Sequence, residues 1–192
     1  MNTMQPIRSF EMIQNIQDFL KCGRNGERNF VLFSTGIYAP LRISDILPWK
    51  VRDVRNKKYF VLREKKTNKE QLVYINDDLK KILDKYIEGK KDYEYLFKST
   101  QKNEKGIYGP ITRQQAWNIL KKAATEFGID CMGCHTMRKT FGYHYYQQTG
   151  DIVTLQEIFN HSHPSITLYY IGITQDMKNK AIKSFKYKLL NK

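Results

Sequence analysis

Apolar residues recur at helical spacing along almost all of this chain, and a two-residue period is confined to one stretch near residues 51–75. That contrast predicts a helical body carrying one small sheet. Phe10, Ile13, Ile16, Phe19 and Leu20 mark a first helix, and residues 29–38 a second, more buried one. A short helix over residues 44–47 ends with the help of Pro48. Residues 59–63 and 71–75 alternate as strands about the polar turn 64–70, and residues 51–54 supply a candidate third strand. Leu79, Ile82, Leu83, Tyr86 and Ile87 restore the helical stripe, and residues 98–110 read as a basic loop with Gly106 and Gly109. Thr112 and Gln115 form a capping box for a helix bearing Ala116, Ile119, Leu120, Ala123 and Phe127, which Gly128 stops. Further helices are expected over residues 136–148, 153–159, 165–171 and 175–189. The predicted fold class is α+β, mainly helical: a single domain of about eight helices with a small antiparallel three-stranded sheet.

At 192 residues the chain is long enough for one well-buried core, and its 13 Tyr and 10 Phe argue against disorder. Lys and Arg outnumber Asp and Glu by 33 to 19, a net charge of +14. A surplus of that size favours a polyanionic partner through counterion release. No apolar run approaches the ~18 residues that span a bilayer, and residues 1–10 lack the apolar core of a signal peptide. The expected localisation is cytoplasmic. Cys22, Cys131 and Cys134 do not make a disulfide framework. Cys131 to His135 spells the CxxCH pattern of haem attachment, but that chemistry belongs to export compartments. Zinc on Cys131, Cys134, His161 and His163 would need an unusually tight His-x-His pair. The expectation is no metal and no cofactor.

The densest signal lies between His135 and Tyr170. His135-Thr136-Met137-Arg138 is an HxxR element, and Asn160-His161-Ser162-His163 is followed by Tyr170, nine positions after His161. Upstream, Arg42 sits in Leu41-Arg42-Ile43-Ser44-Asp45, and Lys66 lies in the turn between the two strands. Breaking a phosphodiester without metal or water takes a nucleophile, charge stabilisation on the non-bridging oxygens, and an acid for the leaving group. Tyrosine suits the first task because a phosphotyrosyl ester keeps the bond energy for rejoining. Forked guanidinium groups suit the second. Taken singly, each residue has an ordinary reading: a core tyrosine, an ion-paired arginine beside Asp45, a solvated lysine turn, a satisfied buried histidine. Together, in this order on a basic chain, they favour the chemistry.

In that order and over nearly the whole length, the chain resembles the tyrosine recombinases, the phage integrase family. The resemblance implies that Arg42 and Arg138 clamp the phosphate and that His135 handles the proton at the nucleophile. It implies that His161 donates a hydrogen bond to the phosphate, that Lys66 protonates the departing 5′ oxygen, and that Tyr170 attacks. Lys65 and Lys69 rival Lys66 for its role, and Tyr169 is the neighbour of Tyr170. The implied activity is site-specific recombination or integration through a covalent 3′-phosphotyrosyl intermediate. The implied partners are double-stranded DNA and, in a tetrameric synapse, further copies of the chain. Two other readings are a non-catalytic DNA-binding regulator on the same fold and a type IB topoisomerase. Where the family usually has Thr-Gly before the first arginine motif this chain has Ala39-Pro40, and the usual Leu-Gly-His is Phe159-Asn160-His161.

The resemblance assigns residues 1–192 to the catalytic domain, with residues 1–6 a flexible start and no N-terminal core-binding domain. It also implies that residues 175–192 pass to a neighbouring protomer, the alternative being a last helix packed on its own core. DNA binding is therefore expected to be weaker and more salt-sensitive than in a two-domain member. Affinity should fall by roughly a thousandfold between about 50 and 200 mM salt in an anisotropy titration. An affinity that barely responds to salt would contradict this.

Overall fold

The computed structural model describes residues 4–64, 66, 68–102, 104 and 106–186. Helix α1 (Phe10–Lys21) starts at Ser9, whose Oγ accepts the Met12 N–H at 3.2 Å, and it buries Ile13, Ile16 and Leu20. It packs on α2 (Gly26–Tyr38). Pro40 stops α2, because the residue before a proline is pushed out of the helical region, and Ala39 is extended. Two single turns follow, α3 (Ile43–Ile46) and α4 (Val51–Val54).

The second of these turns corrects the expected third strand. Val51 and Val54 stand one helical turn apart, and Asp53 caps that turn by accepting the Lys50 N–H at 2.7 Å. Among the described residues, strand β1 (Tyr59–Arg63) therefore pairs only with β2 (Glu70–Tyr74), Tyr59 opposite Tyr74 and Arg63 opposite Glu70. After α5 (Asp77–Ile87), the expected basic loop is instead a second antiparallel hairpin, β3 (Lys98–Lys102) with β4 (Tyr108–Pro110). Its sequence hid it: Ser99 is the one buried residue of β3, so no apolar period marks the strand. The capping box of α6 (Arg113–Glu126) forms as expected, with Thr112 and Gln115 bonded reciprocally at 2.8 and 3.1 Å.

The remaining helices are α7 (Cys134–Thr149), α8 (Ile152–Phe159), α9 (Pro164–Tyr170) and α10 (Ile173–Ser184). Ten helices are thus present among the described residues, rather than about eight, the short α3 and α4 included. Lys188 and Leu189, which the sequence puts on the last helix, lie outside the described residues, as does Lys65. Of residues 1–6, Met4 to Pro6 lie against α7 and its approach. Lys139 Nζ donates to the Met4 carbonyl at 2.8 Å, the Gln5 N–H reaches the Cys131 carbonyl, and Pro6 is buried. Among the described residues, no helix is long and apolar enough to cross a membrane.

The apolar interior has two parts. The larger is built on Phe33, Trp49, Phe97 and Leu120; the smaller holds Leu155, Phe159, Ile171 and Ile173. Helix α7 lies between them, and two glycines let it approach both sides. A Cβ on Gly36 of α2 would stand 2.3 Å from Met137 Sδ, and one on Gly142 would stand 2.7 Å from Phe159 Cζ and Ile171 Cγ2. Gly142→Ala is therefore expected to cost about 1–3 kcal/mol by overpacking. The check is a lower urea midpoint at unchanged slope; an unchanged midpoint would show that α8 and α9 yield freely.

Candidate active site

Arg138 sits one turn after His135 near the start of α7, and its side chain points inward, with the residue 3% exposed. Its Nη2 donates to the Phe159 carbonyl at 3.0 Å, and its guanidinium carbon lies 4.7 Å from the Phe159 ring centre. Nη1 is buried with no acceptor among the described residues. Burial lowers its pKa, and nearby Tyr170, Glu64 and Asp45 partly offset that; an arginine remains charged regardless.

Arg42 occupies the N-cap position of α3, at the end of the extended segment that Pro40 begins. Its Nη1 donates to Glu64 Oε2 at 2.9 Å, with the two side chains 20% and 6% exposed. Glu64 closes the turn after β1: its N–H donates to the Lys69 carbonyl and its carbonyl accepts from the Asn68 N–H, both at 2.9 Å. Lys66 is exposed at the tip of that turn. It lines one cleft with Arg42, Ser44, Arg113, Cys134 and His135.

His161 follows Asn160, which is left-handed at φ 53° as the C-cap of α8. The asparagine in place of glycine is thus accommodated, since Asn tolerates that region better than most residues. The His161 ring is fixed by Nδ1 against Thr167 Oγ1 at 3.0 Å, and its backbone is bonded to Gln156 in both directions. Tyr170, half-buried at the end of α9, meets the His161 ring edge-on at 5.2 Å and the Phe159 ring at 5.5 Å. Tyr169 is 72% exposed. Burial pushes the Tyr170 phenol up from the ordinary tyrosine value, while Arg138 and Arg42 pull it back.

Both imidazoles are held below the usual histidine range. For His135 the causes are burial and then the charges of Arg113, Arg138, Lys139 and Arg42. For His161 they are burial, Arg138 and Arg42. Arg42, His135, Arg138, His161 and Tyr170 are thus electrostatic neighbours across α3, α7, α8 and α9, and Lys66 joins through the shared cleft. Among the described residues, no group of three or more His, Cys, Asp or Glu is disposed to hold a metal ion. His163 is engaged instead as the cap of α9, its Nδ1 accepting the Ser165 N–H.

Four neighbours escaped the sequence reading. Glu64 had one signal, the two-residue period that turns Phe60, Leu62 and then Glu64 inward. Thr167 stands three residues before Tyr170, on the same side of α9. Arg113, at the start of α6, and Lys139, whose Nζ lies 4.9 Å from the Tyr170 ring centre, carried no signal in one dimension.

Comparison with known proteins gives the family and the fold. The family model described as "Phage integrase family" matches residues 9–177. This chain belongs to that family. It is 46% identical over 185 residues to "Probable integrase/recombinase YoeC" of Bacillus subtilis (strain 168), covering 96% of this chain and 98% of that one. It is 29% identical to tyrosine recombinase XerA of Pyrococcus horikoshii over 77% of this chain, and 31% identical to XerD of Oceanobacillus iheyensis over 79%. The chain spans about half the length of those two relatives, 51% in each case. Among solved structures, XerH site-specific recombinase in a post-cleavage complex with palindromic difH superposes with a TM-score of 0.71 at 17% identity, over 94% of this chain and 52% of that one. The catalytic domain of bacteriophage HP1 integrase gives 0.61 at 16% identity, over 98% and 99%. The fold is that of a tyrosine recombinase catalytic domain.

The lowered histidine pKa values have a definite sign. Near pH 6.5 the unfolded chain takes up protons that folded His135 and His161 do not, so stability falls as pH drops through that range. An NMR titration should find both rings neutral at pH 7. Arg113→Ala should raise the His135 midpoint and leave His161 in place; movement of both would mean that burial, not the arginine, had changed.

Proposed function

We propose that this chain is a site-specific recombinase or integrase that cleaves and rejoins double-stranded DNA through a covalent 3′-phosphotyrosyl link to Tyr170. The observation that carries the reading is the gathering of two guanidinium groups, two neutral imidazoles and one sheltered phenol at a single junction. One nitrogen of Arg138 there is buried without an acceptor among the described residues.

In the proposed reaction the Tyr170 Oη attacks phosphorus and its proton passes to the neutral His135 ring. Charge growing on the non-bridging oxygens is met by Arg42 and Arg138, with His161 donating a further hydrogen bond. The bond from phosphorus to the 5′ oxygen breaks, and Lys66 supplies the proton that leaves a 5′-hydroxyl. Rejoining runs the same steps backward with a 5′-hydroxyl as nucleophile, so no cofactor is consumed. The cytoplasm is the compartment we assign.

The proposal extends to assembly on DNA as a homo-oligomer, in the manner of a tetrameric synapse. Its support is α10, which buries Ile173 but leaves Met177, Ile182 and Phe185 exposed, with Lys178, Lys180 and Lys183 spaced along it. Exposed apolar side chains of this kind suit handover to a neighbouring copy.

A covalent-trapping assay tests the chemistry. Protein mixed with supercoiled DNA from its own genomic neighbourhood and quenched in detergent should give protein-linked breaks with wild type and Tyr169→Phe, and none with Tyr170→Phe. Arg138→Ala should lower adduct formation by roughly 100- to 1,000-fold. Binding without adducts in the wild type would favour a regulator, and relaxation without site preference would favour a topoisomerase.

A further inference from the structure

Glu64 is the least expected side chain beside the cleft. It is a carboxylate 6% exposed, flanked in sequence by the cations Arg63, Lys66 and Lys69, in a place where an anionic substrate would be repelled by it. A buried acid beside a phosphate clamp needs a reason. Two sets of contacts supply one. Through its side chain Glu64 holds Nη1 of Arg42, and through its backbone it closes the turn that presents Lys66. Its charge is also felt at Arg138.

We propose that Glu64 is a positioning residue that ties the fork of Arg42 to the Lys66 turn, so that phosphate clamp and leaving-group acid keep one register. This rests on the recombinase reading above. A guanidinium presents five N–H donors in a rigid plane, and fixing one of them fixes the direction of the rest. The Glu64 carboxylate takes one of these donors, and Arg42 has no second acceptor among the described residues. The turn is fastened at the same residue, so a shift of the turn shifts the arginine with it. The carboxylate also lowers the cost of holding Arg42 and Arg138 close together. Neither the HxxR element nor the tyrosine motif includes this position.

The experiment compares Glu64→Ala and Glu64→Gln on the full chain, with noncovalent binding and single-turnover adduct formation measured on the same DNA. The alanine frees the arginine, and misplacement of that order lowers a reaction rate by about 100-fold. Removing a negative charge should leave binding as tight or tighter, with a salt slope steeper by about one. Glutamine keeps an acceptor for Nη1 and should restore most of the rate. That split separates positioning from folding, because a merely structural loss would lower binding and cleavage together. Adducts as fast as wild type, or faster, in the alanine variant would overturn the proposal and make Glu64 a mask over Arg42. Parallel loss of binding in both variants would overturn it in favour of a structural role. A double-mutant cycle with Arg42→Ala, read in noncovalent DNA affinity alone, needs no strand cleavage. Non-additive effects are expected there, and strict additivity would refute the coupling even if wild type itself formed no adduct.

Discussion

A guanidinium removed from water costs several kcal/mol unless its N–H groups meet acceptors, and the burial of Arg138 governs how α7, α8 and α9 are joined. The last carbonyls of a helix have no partner within it. Phe159 ends α8, and its carbonyl is one of these; the left-handed Asn160 turns the chain aside immediately afterwards. Arg138 takes that carbonyl, at an end where the helix dipole is negative. The Phe159 ring lies against the same guanidinium, and the glycine one turn further along α7 lets Phe159 and Ile171 close on the helix. One charge, one helix end and one missing Cβ thus act as a unit.

That unit concentrates positive charge in a small volume. Arg42, Arg113, Arg138 and Lys139 surround two imidazoles, and the rings stay neutral because a third kind of cation there would be costly. Buried Asp45 and Glu64 temper the arginines without cancelling them. Tyr170 feels opposing influences: burial favours the phenol and the arginines favour the phenolate, and burial prevails in the free protein. In the proposed reaction the arriving phosphate would engage those arginines. Ionisation then depends on a base, and a neutral imidazole is at hand.

Much of this was legible in one dimension. The helical stripes gave the body of the fold, the alternation at residues 59–63 gave β1, and the Thr112 and Gln115 pair gave the start of α6. What failed did so for physical reasons. Helix α4 is one turn long, too short for its period to be told from a strand, and β3 is so polar that its alternation carries no apolar signal. Residues that act on the site through others were also hidden. Arg113 is far from His135 in sequence, and Glu64 from Arg138, and each acts there only because α6 and the first hairpin converge on the N-terminal end of α7. The two adjacent tyrosines illustrate the same limit: spacing favours Tyr170, but only burial sets it apart from Tyr169.

The spacing itself has a structural cause. His161 is separated from Tyr170 by a tight turn and two turns of helix: His163 caps α9, Pro164 fills its first position where the missing N–H is harmless, and Thr167 and Tyr170 follow one turn apart. Thr167 fixes the nitrogen of His161 that faces α9, and Tyr170 meets the flat of the same neighbourhood edge-on. Changing the number of residues between His161 and Thr167 would rotate Tyr170 about the helix axis by about 100° for each residue added, away from both arginines. A fixed count of nine positions is therefore the linear shadow of a single helix start, and the sequence motif and the α8–α9 junction are the same constraint seen in one dimension and in three.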